Sequence, residues 1–102
     1  MHLHLTSSGP DLVEPDDCTT FDVVVAPELD TEALTALLAK HKIGTLAAGE
    51  KHVFVSPEAL RALADGRTGE DWSSRFDKML AYAATKGWIG ENGDVRGHID
   101  NG

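Results

Sequence analysis

The sequence predicts an α+β fold: a small mixed sheet of three or four strands with helices packed on one face, in the order β-β-α-β-β-α-α plus a C-terminal turn or short hairpin. Three observations carry that expectation. Apolar runs of period two alternate with segments of helical period, and Gly, Pro, Ser and Asn punctuate the boundaries. The central strand–helix–strand–strand–helix stretch is most of a split βαβ unit. At 102 residues, 41% hydrophobic and 25% charged, the chain is read as a single domain, 1–102, large enough for a modest core without disulfides or metal.

Each element has a local reason. His2, Leu3, His4, Leu5 and Thr6 alternate, putting Leu3 and Leu5 on one face of a strand and the histidines on the other. Residues 7–20, with Gly9, Pro10, Pro15 and several acids, read as an acidic loop. Phe21 to Ala26 form a second strand, and Val23-Val24-Val25 suggests burial on both faces, near the middle of the sheet. Asp30 is placed to cap a helix whose apolar stripe is Leu34, Leu37, Leu38 and His41. Glu32 at its start and Lys40 and Lys42 at its end complement the helix dipole.

Ile43–Ala48 and Lys51–Val55 flank Gly49-Glu50, the dipeptide of a tight type II′ hairpin. Ser56 then caps a helix with Pro57 in its first turn and Leu60 and Leu63 as anchors. Thr68 is expected to cap the longest helix, with Asp71 three residues on. Its stripe is Trp72, Phe76, Met79 and Ala83, and Gly87 is placed for a left-handed C-terminal cap. Asn92-Gly93 signals a tight turn, and residues 97–102 read as a frayed tail.

Charge is the most distinctive property. Asp11, Glu14, Asp16, Asp17, Asp22, Glu28, Asp30 and Glu32 all precede the first base, Lys40, so the net charge of −8 belongs to the N-terminal part. Such a field repels polyanions and steers basic partners. The segment most like a recognition helix, Glu70–Lys86, carries no excess of cations, which counts against nucleic acid. Cys18 is the only cysteine, which excludes an internal disulfide and fits a reducing compartment. No apolar run reaches a membrane span, and the first residues lack the pattern of a signal peptide, so the expected location is the cytoplasm.

No catalytic motif is assembled. There is no G-x-S-x-G elbow and no phosphate loop, and the acids at Glu14, Asp16 and Asp17 lack the spacing of a calcium loop. No metal site and no cofactor are expected, since His2 and His4 alone do not make a site. The leading expectation is a small acidic accessory or regulatory protein, not an enzyme, that binds an unidentified, possibly basic protein or itself. Its candidate contacts are Trp72, Phe76, Tyr82 and Trp88, with Asp16 and Asp17 for charge. The alternative is a small enzyme or ligand carrier with a pocket between sheet and helices. There His41, His52 and His98 would exchange protons and Arg75 and Arg96 clamp an anion. A winged-helix-like nucleic-acid binder is a second alternative.

Overall fold

A computed structural model describes residues 1–47, 49, 51–90 and 93–100. It is an α+β fold with three helices and a six-stranded mixed sheet. The strands are β1 (His2–Thr6), β2 (Gly9–Val13), β3 (Asp22–Val25), β4 (Gly44–Leu46), β5 (His52–Val55) and β6 (Val95–Asp100). The helices are α1 (Thr31–Lys40), α2 (Pro57–Ala64) and α3 (Trp72–Thr85). Across the sheet the order is β2-β1-β3-β6-β5-β4. β1, β3 and β6 run parallel, and the hairpins β1–β2 and β4–β5 and the β5–β6 pair are antiparallel.

Two strands go beyond the expected three or four, and both fall where the sequence reads as irregular. β2 lies within the expected acidic loop. Ser7-Ser8 makes a two-residue connection, and Thr6 pairs with Gly9. Pro10 is tolerated because Leu5, its partner, directs its carbonyl towards Ala26 beside β3, not towards β2. The Pro10 nitrogen therefore faces the free edge, where its missing N–H costs no ladder bond.

The second departure is β6. Residues 97–100, expected to fray, lie between β3 and β5, with Asp22 opposite His98 and His52 opposite His98 on the other side. Gly97 makes this possible. A Cβ there would fall 2.7 Å from Val23 Cγ2 and 2.9 Å from Phe21 Cε2. The expected turns at Gly49-Glu50 and Asn92-Gly93 involve Glu50 and Asn92, which lie outside the described residues, as do Asn101 and Gly102.

One face of the sheet carries the core. Leu3, Leu5, Val23, Val25, Val53, Val55 and Val95 form a single cluster with Leu34 and Leu38 of α1, Leu60 and Ala64 of α2, and Trp72, Phe76 and Ala83 of α3. The alternate residues His2, His4, Asp22, Val24, His52, Phe54, Arg96 and His98 occupy the opposite face and are half-buried or exposed. Val24 thus corrects the expectation that β3 is buried on both sides. β3 is central, but helices cover only one of its faces.

Caps were only partly foreseen. Asp30 Oδ1 accepts from the Ala33 N–H at 2.8 Å, as its position predicts. Ser56 occupies the N-cap of α2 without a side-chain bond. Thr68 does not cap α3, which begins at Trp72 with Asp71 at the N-cap, also without a side-chain bond. At the other end, Gly87 (φ +75°) follows the expectation. The Trp88 N–H reaches the Ala83 carbonyl and the Gly87 N–H the Ala84 carbonyl, the paired bonds of a Schellman cap.

Two outcomes test this register. Deleting residues 97–102 should abolish the cooperative thermal transition followed by circular dichroism, whereas a frayed tail would be removed without effect. Gly97→Ala should lower unfolding free energy by about 1–3 kcal/mol through overpacking, measured by urea titration.

Candidate functional site

A concavity of about 650 Å³ is lined by α3, the segment 16–21, Trp88 and the start of β6. Its volume falls within the range of pockets that hold small organic ligands. Phe21, Met79, Tyr82, Ala83, Trp88 and Val95 supply apolar surface. Arg75, Lys78 and Arg96 bring three cations to the same lining, along with Asp16, Asp17 and Cys18.

Met79, Tyr82 and Ala83 are the apolar residues that α3 gives to this lining, and the other aromatics of its stripe lie outside it. Trp72 and Phe76 are buried and stack with ring centroids 4.7 Å apart and planes 11° from parallel. They were candidate partner contacts, and the structure corrects that: an amphipathic helix satisfies its apolar face against its own sheet. Tyr82 and Trp88 remain at the surface, 57% and 37% exposed. Their rings meet edge to face at 6.1 Å at the mouth of the cavity. Trp88 was among the candidate contacts, and the Schellman turn carries it past the last turn of α3 to the surface.

The wall is the acidic segment, held onto α3 by specific bonds. The Trp72 indole N–H donates to the Pro15 carbonyl, and Arg75 Nη1 donates to the Asp16 carbonyl at 2.5 Å. Arg75 also pairs with the Asp16 carboxylate at 3.6 Å and with Asp71 at 3.3 Å. The Met1 amino group donates to the carbonyls of Asp17 (2.7 Å) and Thr20 (2.8 Å). Asp17 accepts from the Thr19 N–H at 2.9 Å and from the Thr19 hydroxyl. Those bonds hold its carboxyl below the usual carboxylate range. Burial pushes the Cys18 thiol up, against the opposing pull of Arg75. At neutral pH the cavity therefore presents a thiol, not a thiolate.

Arg75, foreseen as an anion clamp, is thus largely engaged in pinning the wall. Arg96, also foreseen, lines the cavity, as does Lys78, which sequence reasoning missed. Neither has an ion-pair partner among the described residues. The only sequence signal for Lys78 is its place one turn before Tyr82 on the helix.

The three candidate histidines do not reach the cavity. His41 is exposed at the C-cap of α1, beside Gly9 of the first hairpin. His52 and His98 are cross-strand neighbours on the open face of the sheet, with His98 Nδ1 3.5 Å from His52 Nε2. Partial burial, then the charges of Arg96, His98 and Lys51, hold His52 below its ordinary value. On the same face His2 Nδ1 lies 2.5 Å from Asp22 Oδ1.

No helix of the described residues is long and apolar enough to cross a membrane. No protein-family model, no curated protein and no solved structure matches this chain. Function has to be read from the site.

Asp17 provides a direct check on the wall. Its folded-state value lies below the ordinary 3.8, so its contribution to stability is present in full above that pH. The contribution is lost as pH falls through the lowered folded value. Carboxyl-carbon NMR should show Asp17 titrating below 3.8 in the wild type and moving upward in Thr19→Val. A value at or above the ordinary one would mean that the 16–21 segment does not hold this shape.

Proposed function

We propose that this protein binds a small amphipathic organic anion, a ring-bearing or branched apolar body ending in a carboxylate, sulfonate or phosphate. The cavity beside α3 is its seat. The observation that carries this reading is an aromatic-lined cavity whose lining also includes Lys78 and Arg96, which have no ion-pair partner among the described residues, in a chain of net charge −8. Apolar lining with a few convergent polar groups is the usual build of a ligand site. The cations give it a sign preference that the whole molecule opposes.

Binding fits the lining better than catalysis does. Among the described residues no histidine lines the cavity, and Cys18 is held as the weakly nucleophilic thiol. Tyr82 and Trp88 would enclose the apolar body, while Lys78 and Arg96 fix its charged end.

A second reading keeps the sequence-level expectation of a protein partner, supported by the exposure of Tyr82 and Trp88. Exposed aromatic anchors of this kind dominate interfaces. On that reading the groove takes an apolar side chain next to an acidic one, so the partner's contact is acidic, not basic as the overall charge implies.

The test uses anilinonaphthalene sulfonate, which combines aromatic body and anionic end. Saturable one-to-one binding to the native protein is expected, seen as a blue-shifted rise in emission. Lys78→Ala and Arg96→Ala should each weaken it about tenfold, the loss of one charge-assisted bond. An uncharged naphthalene probe should be indifferent to both substitutions. Equal affinity in the wild type and both variants would sink the proposal.

A further inference from the structure

Strand register lines up His2, Asp22, His98 and His52 across β1, β3, β6 and β5, on the face of the sheet opposite the helices. Two contacts divide this row. His2 and Asp22 are hydrogen-bonded at 2.5 Å. His98 and His52 turn Nδ1 and Nε2 towards each other at 3.5 Å, with ring centroids 5.2 Å apart and planes at 66°.

As a hydrogen bond from one ring's N–H to the other's lone pair, that second contact is long, beyond the usual N–H donor range. The spacing suits a shared ion better. Two imidazole nitrogens bound at about 2.0–2.1 Å to one tetrahedral zinc stand roughly 3.3–3.4 Å apart. The ligands sit on adjacent, hydrogen-bonded strands, so little chain ordering remains to be done on binding.

We propose that His52 and His98 form a two-imidazole chelate for a borderline divalent cation, zinc foremost, on the open face of the sheet. This site is separate from the cavity and does not depend on what the cavity binds. Imidazole selects zinc, copper or nickel over magnesium and calcium. Among the described residues no group of three or more His, Cys, Asp or Glu side chains converges to hold a metal. Water therefore completes the coordination, and the ion is exchangeable, not structural. Asp22, beside His98 in the register, adds negative potential, while Arg96 and Lys51 oppose it. The remaining water positions are open to a donor from outside.

Zinc chloride titrated into the whole protein by calorimetry at neutral pH, in a non-chelating buffer, decides the matter. One zinc per chain is expected. His52→Ala and His98→Ala should each lower the affinity by roughly tenfold or more, and His2→Ala and His4→Ala should leave it within about twofold. Cobalt in place of zinc should give the intense visible bands of a tetrahedral site, absent in His98→Ala. Both rings stand on the solvent side of the sheet, so far-UV circular dichroism should show the variants folded. Zinc affinity indifferent to His52 and His98, dependence on His2 or His4 instead, or no binding below about 1 mM would overturn the assignment.

Discussion

Insertion of β6 between β3 and β5 is the constraint on which the rest of the molecule depends. Without it the sheet is two separate pieces, β2-β1-β3 and β5-β4, with nothing to bond them. Its residues also build both sites: Val95 and Arg96 line the cavity, and His98 stands opposite His52. Because β3 and β6 are far apart in the chain, their pairing closes a long loop before any local contact repays it. Such topologies fold slowly compared with helical bundles. Gly97 is where this constraint meets the sequence: the backbone lies so close to Val23 and Phe21 that only hydrogen fits.

The acidic N-terminal part has a different role from the one its charge implies. Asp16 pairs with Arg75, Asp22 with His2 and Asp11 with Arg67. Asp17 and Glu28 accept bonds from Thr19 and Ser7, and Asp30 caps α1. Most of these carboxylates therefore shape local structure while still contributing to the field around the molecule. Asp16 and Asp17 stiffen the segment that forms the wall of the cavity. An acidic loop has become one wall of a cavity whose lining also includes Arg75, Lys78 and Arg96.

Much of the fold was legible where local and tertiary preferences agree. The alternation of His2–Thr6, the Asp30 cap, the stripe of α3 and the Gly87 turn all follow from side-chain period and cap chemistry. β2 and β6 were not legible, for opposite reasons. In β2 the breakers Gly9 and Pro10 are real but harmless at a free edge. In β6 the polar, glycine-bearing sequence has no strand signature of its own, and its neighbours on both sides impose the conformation. For the sites, Arg75, Arg96, His52 and His98 were recognised as residue types. Their grouping was not, because it depends on which strands are neighbours. Lys78 gave no signal beyond helical spacing.

The two tryptophans end up in contrasting surroundings, and this makes the molecule its own reporter. Trp72 is stacked on Phe76, with its indole N–H bound to the Pro15 carbonyl in the interior. Trp88 stands at the surface against the edge of Tyr82. Emission from the first indole follows the integrity of the core, and emission from the second follows the surroundings of the surface pair it forms with Tyr82. Quenching by iodide or acrylamide can separate the two populations in a single cuvette, without any added label.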